Sequence, residues 1–116
     1  MYDDDGLEHA EEPAIRKLLH LLLLLMIKNE YGELGIKPIE GKLQVTVDFD
    51  DLVAPEPSML AGIVDRLKVM AGLEPEITYR EQSGRFDLSV NDSVVWLRVT
   101  TLPSDDGEGV LVTREG

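Results

Sequence analysis

The longest apolar stretch of the chain covers residues 18–27 and is interrupted only by His20. On a helix, Leu18, Leu21, Leu22 and Leu25 would cover one side, and Leu19, Leu23 and Met26 another. An ordinary surface helix has one apolar stripe, so a helix apolar nearly all round is expected to be buried on two sides. Its start is expected near Pro13, which suits a first helical position, with Glu11 and Glu12 at the positive end of the helix dipole. Gly32 is the expected stop. Residues 1–12 are then an acidic, flexible lead-in, and 13–116 form a single domain.

Gly35 and Pro38 predict irregular chain after this helix. Leu43, Val45, Val47 and Phe49 alternate with Gln44, Thr46 and Asp48, the period of a strand with one wet face. A second helix is expected from an N-cap at Ser58 to a stop at Gly72, with a one-sided stripe of Met59, Leu60, Ile63, Val64, Leu67 and Met70. Strands are expected over 77–80, 85–90, 93–100 and 110–114, with turns at Ser83-Gly84 and Asn91-Asp92 and a loop over 105–109. The order α-β-α-β-β-β predicts an α+β two-layer sandwich, an antiparallel sheet with two main helices packed on one face.

Length and composition narrow the function classes. A chain of 116 residues with 43% hydrophobic content suits one domain with a real core. A formal net charge of −12 argues against non-specific nucleic-acid binding, since phosphates would be repelled. The absence of cysteine removes disulfides, thiolate zinc sites and thiol catalysis, and fits a reducing cytoplasm. The first residues carry Asp3, Asp4 and Asp5 where a secretory signal would need positive charge. The apolar run is about half the roughly 20 residues that a membrane span needs.

Chemistry-bearing patterns are sparse. No phosphate-loop or dinucleotide glycine pattern occurs, and Gly107-Glu108-Gly109 lies in an acidic turn that would repel phosphate. His9 is expected to be solvated. His20 would share a helical face with Leu24 and Ile27 and is expected in a core or an interface rather than as a ligand. Asp48, Asp50 and Asp51 could approach a hard cation but read as a solvated strand end. The serines have no histidine near them in the strand region. The chain is therefore expected to carry no catalytic site, metal or cofactor.

From the second helix onward the sequence resembles a known family. Asp65-Arg66-Leu67-Lys68-Val69-Met70-Ala71-Gly72-Leu73 resembles Ser-Arg-Ile-Lys-Val-Met-Ala-Gly-Leu of the traffic ATPases of type II secretion and type IV pilus assembly. Gln82-Ser83-Gly84-Arg85-Phe86 resembles their Gln-Asp-Gly-Arg-Phe, and Leu97-Arg98-Val99-Thr100-Thr101-Leu102-Pro103-Ser104 resembles their Leu-Arg-Val-Ser-Thr-Leu-Pro-Thr. Gly107-Glu108 matches the Gly-Glu that follows. Upstream, Glu33-Leu34-Gly35-Ile36-Lys37-Pro38 stands more faintly where the family has Asp-Ile-His-Ile-Glu-Pro.

The resemblance implies the second N-terminal domain of these ATPases, which precedes the RecA-like motor that holds the phosphate loop and catalytic carboxylates. Arginines of that domain reach the nucleotide phosphates, and Arg85 and Arg98 are the matching positions here. A guanidinium suits this work because its planar fork pairs two phosphate oxygens at once. The family's Arg-Tyr-Arg-Ile-Asp-Gly strand is replaced by Gln44-Val45-Thr46-Val47-Asp48-Phe49, and its Glu-Arg-Arg by Ile77-Thr78-Tyr79. Those changes remove most of the positive charge and leave the scaffold positions.

The opening Met1 and the drift of the charged motif positions favour a free-standing relative over a piece of a longer ATPase. The expected function is then a non-catalytic interaction module, cytoplasmic and at the inner membrane only through a partner. It would dock through Leu19, His20, Leu23, Leu24, Met26 and Ile27 onto a component of such a machine or a second copy of itself. The runner-up is a fragment or trans-acting domain whose Arg85 and Arg98 complete a nucleotide site on a neighbouring motor. A small-ligand sensor is the third reading.

Overall fold

A computed structural model of the chain describes the backbone of residues 3–115 and the side chains of residues 13–115. Helix α1 spans Asp3–Lys28, followed by strands β1 (Glu33–Ile39), β2 (Lys42–Val47) and β3 (Asp50–Leu52). A 3-10 turn, Pro57–Met59, leads into α2 (Leu60–Met70), and β4 (Ser83–Val90), β5 (Ser93–Ser104) and β6 (Gly107–Glu115) complete the chain. The six strands form one antiparallel sheet in the order β3-β2-β1-β6-β5-β4. Two three-stranded meanders thus meet where β1 pairs with β6. The segment from β3 to β4, including α2, crosses from one sheet edge to the other. Both helices pack on the same face, as expected of the α+β sandwich.

Two-residue turns set the registers. Glu40-Gly41, Asp48-Phe49 and Asn91-Asp92 all have positive φ, the pairing that matches the twist of adjoining antiparallel strands. Asp48 also fixes the first helix to the sheet, because its Oδ1 accepts the backbone N–H groups of Gly32 and Glu33, each at 2.9 Å. That oxygen is committed to joining the helix end and β1 to the β2–β3 turn.

The inner face of the sheet presents Leu34, Ile36, Val45, Val47, Leu97, Val99, Val110 and Val112. Against it lie Ile63, Val64 and Leu67 of α2 and Leu19, Leu23, Met26 and Ile27 of α1. All are buried, and removing that apolar surface from water is the main force holding the layers together. No helix among the described residues is long and apolar enough to cross a membrane.

Several sequence expectations are corrected. The first helix begins at Asp3, with Pro13 inside it. It is closed by Glu30 in the left-handed region (φ 56°) with Tyr31 N–H donating to the Met26 carbonyl at 2.9 Å, and not by Gly32. Residues 33–39 form strand β1 despite Gly35 and Pro38. Only 33–36 pair with β6, so the missing N–H of Pro38 concerns one neighbour at most. Ser58 lies within the 3-10 turn and caps nothing. Residues 77–80 form no strand.

Candidate functional site

The sheet's outer face, away from the helices, holds both predicted arginines. The β4–β5 register sets Arg85 directly opposite Arg98, and the β5–β6 register sets Trp96 opposite Glu115. Arg98 Nε donates to Glu115 Oε2 at 2.6 Å, and Arg85 reaches Glu115 Oε1 at 3.5 Å. A further Arg98 nitrogen donates to Ser83 Oγ at 3.0 Å. The Arg85 guanidinium lies 4.8 Å from the centre of the Trp96 ring, within cation–π range. Both arginine side chains remain open to solvent, at 57% and 39% relative exposure. Sequence reasoning found the arginines, but neither Glu115 nor Trp96 as their partners.

The hydrogen bond from Arg98 lowers the pKa of Glu115 from its ordinary 4.5, against an opposing effect of burial, with the charge of Arg98 and the contacts of Arg85 acting in the same direction. A depressed folded-state pKa favours the folded chain above the ordinary value, and that contribution is lost as pH falls through the lower folded value. Arg98→Gln should therefore move the Glu115 titration up toward 4.5, read from its carboxyl carbon by NMR. An unmoved titration would show that the ion pair does not exist in solution.

The residues expected as an interface on α1 divide sharply. Leu19, Leu23, Met26 and Ile27 belong to the core, at 2%, 4%, 0% and 8% exposure, while His20 is exposed and Leu24 half-buried. Met26 and Ile27 are thus corrected to inner packing residues, because the sheet covers that side of the helix. Leu19, His20, Leu23 and Leu24 are nonetheless brought together on one wall of a surface groove of about 680 Å³. Met70 and Arg66 of α2 and Leu88, Ser89, Val90 and Asn91 at the end of β4 form its other walls, and Arg16 and Lys17 its α1 rim. His9 lies outside the residues whose side chains are described.

A third cluster explains why the family-like motifs sit where they do. Lys68 falls on the buried side of α2 and is completely enclosed. Its Nζ lies 2.6 Å from Glu108 Oε1 and donates to the carbonyls of Pro75 at 3.2 Å and Ile77 at 2.8 Å. Gln82 Nε2 donates to the carbonyls of Glu74 and Ile77, its Oε1 accepts from Glu74 N–H, and its backbone N–H donates to Thr101 Oγ1 at 2.7 Å. A Cβ on Gly84 would lie 2.4 Å from the Ala71 carbonyl oxygen, so only glycine lets the two backbones approach this closely. Lys68 and Ala71, Gln82 and Gly84, Thr101, and Glu108 come from the separate motif stretches, and they lock one another at one corner. A lysine four residues after Val64, on an apolar stripe, was the signal in the sequence for this corner.

No family model matches the chain. Single relatives do. Type II secretion system protein E of Klebsiella pneumoniae is 31% identical over 113 residues, covering 94% of this chain and 23% of the relative. The type II secretion system ATPase E of Vibrio cholerae is 31% identical over 114 residues, covering 95% and 23%. The type II secretion system protein HxcR of Pseudomonas aeruginosa is 30% identical over 112 residues, covering 93% and 24%. This domain is related to the N-terminal region of type II secretion ATPase E. It spans about a quarter of the length of these secretion proteins, and the similarity takes in α1 and the first meander as well as the motif-bearing second half. Relative to the motifs of the secretion and pilus ATPases, the interlocked corner of Lys68, Gln82, Gly84 and Glu108 is kept whole. The stretches in which the family's arginines are replaced lie over 44–49, on β2 and the turn after it, and over 77–79, ahead of β4.

Proposed function

We propose that the domain is a non-catalytic docking module of a type II secretion or type IV pilus machine. It works in the cytoplasm and reaches the inner membrane only through a partner. The groove between α1, α2 and the end of β4 carries this reading. It gathers Leu19, Leu23 and Leu24 with Met70, Leu88 and Val90 into one apolar hollow that opens to the surface. Apolar surface left in such a hollow is stabilised by whatever covers it. The partner is a machine component or a second copy of the chain.

Two measurements test the proposal. Titration of the chain with a non-hydrolysable ATP analogue should give no binding heat, and saturable binding would overturn the non-catalytic docking account. A photo-crosslinking residue in place of the exposed His20 should capture a secretion component or a second copy, whereas one at Gln44, on the opposite face of the sheet, should not. Equal capture from both positions would remove the groove as the docking surface.

A second reading is favoured by the register that sets Arg85 opposite Arg98 on an open face. There the two guanidinia could complete a nucleotide site on a neighbouring motor, with Glu115 giving up its ion pairs as phosphate arrives. Under this reading Arg98→Gln would weaken nucleotide binding by a motor-bearing assembly and leave groove docking intact.

A further inference from the structure

The groove has a rim whose charge opposes that of the molecule. Arg16, Lys17 and His20 of α1 and Arg66 of α2 stand around it, in a chain of formal net charge −12. Arg16 and Arg66 are engaged in contacts of their own, so the charge presented to an incoming group rests first on the exposed Lys17, with the exposed His20 imidazole beside it. The third wall is an edge of the sheet. Among the described residues β4 pairs only with β5, so one row of its backbone N–H and C=O groups has no described strand beside it where Leu88, Ser89, Val90 and Asn91 enter the groove. An unpaired strand edge is a template for another extended segment, whose main chain supplies the hydrogen bonds and whose alternate side chains enter adjoining pockets.

Building on the docking reading, we propose that the groove takes an extended acidic segment of a protein partner. The segment lies beside the end of β4 as a seventh strand. Every second side chain turns to the helix side, where apolar ones fill the hollow between Leu23, Met70 and Val90 and carboxylates interspersed among them meet Lys17 and His20. A helical occupant would leave the β4 edge unpaired, because its own backbone groups are already bonded within it. The net charge of −12 disfavours an acidic segment on most of the surface, so the basic rim supplies specificity as well as attraction.

Fluorescence anisotropy with a short labelled peptide repeating Val-Thr-Glu-Thr, which puts valine and glutamate on the same side of a strand, titrated with the full chain, should show saturable binding. The same peptide with lysine in place of glutamate should bind at least about tenfold more weakly. The Lys17→Glu/His20→Glu variant should reverse this preference and keep the melting temperature of the parent, since both side chains are exposed. Amide shifts on binding should fall on Leu88 to Asn91 and spare β3. Equal binding of both peptides, indifference to the rim variant, or shifts confined to the outer sheet face would overturn the acidic-strand inference and leave docking standing. Stronger retention on phosphatidylglycerol vesicles than on the peptide would overturn it in favour of a lipid headgroup. Self-association by light scattering that the rim variant abolishes would overturn it in favour of a second copy, whose β3 edge carries Asp50 and Asp51. Failure of both peptides, together with absence of crosslinks from His20, would sink the docking reading itself.

Discussion

Replacing Lys68 with methionine should destabilise the domain by about 3–5 kcal/mol, the usual cost of removing one partner from a buried ion pair. The side chain is wholly buried, and its ammonium satisfies Glu108 and two main-chain carbonyls. Methionine fills much the same volume, so the loss would be electrostatic rather than a cavity effect. The Glu108 carboxylate would stay enclosed without its cation, and its Oε2 already has no hydrogen-bond partner among the described residues. The carbonyls of Pro75 and Ile77 would lose a donor as well. Urea denaturation followed by circular dichroism would measure the effect. A second variant, Lys68→Met/Glu108→Leu, should recover more than half of the loss, because replacing both members of a buried pair with apolar groups removes the stranded charge. A single variant within about 1 kcal/mol of the parent would show that water reaches this corner, and the account of it would fail.

That corner also marks what was legible in the sequence and what was not. The α+β class, the single-sided helix α2 and the β4–β5 turn at Asn91-Asp92 follow from local pattern, and the structure has them. The segment ahead of β4 does not follow. Ile77 and Tyr79 mimic a strand's alternation, yet the carbonyl of Ile77 accepts from Lys68 and Gln82, and Tyr79 is 77% exposed. Side-chain hydrogen bonds from distant residues hold this stretch as irregular chain, and no window of local sequence contains them. Strand β1 was hidden for the opposite reason. Gly35 and Pro38 are poor strand residues, but Gly35 sits where the Thr46 side chain crosses it, at 2.9 Å from a would-be Cβ. Tertiary contact overrides propensity there.

The arginine pair was legible only through the family motifs. Its geometry was not, because the Glu115 that joins Arg85 to Arg98 comes from the far end of the chain through the β5–β6 pairing. The groove was half legible. The leucine run announced apolar surface on more than one side of α1, but the other walls come from α2 and the end of β4.

Which side of that helix faces inward is where the second large effect lies. Met26→Ala should cost about 2–5 kcal/mol, whereas Leu21→Ala, on the same helix, should stay within about 0.5 kcal/mol of the parent. Met26 is fully buried beneath the sheet and Leu21 is 54% exposed. Truncating Met26 removes contact surface and leaves a void that its neighbours Ile27 and Leu23 can only partly fill, since both are themselves fixed in the core. The sequence held a clue to this choice. Lys17 and Lys28 project on the same side as Leu21, at helical spacings of four and seven residues from it, and charges at those positions mark the wet face. Leucine at Leu21 then adds apolar surface without adding core. Thermal denaturation of both variants would read the difference. Comparable losses at Met26 and Leu21 would mean that the leucine-rich helix is enclosed all round in solution, by self-association at the exposed side, and the assignment of its inner face from a single chain would have to be withdrawn.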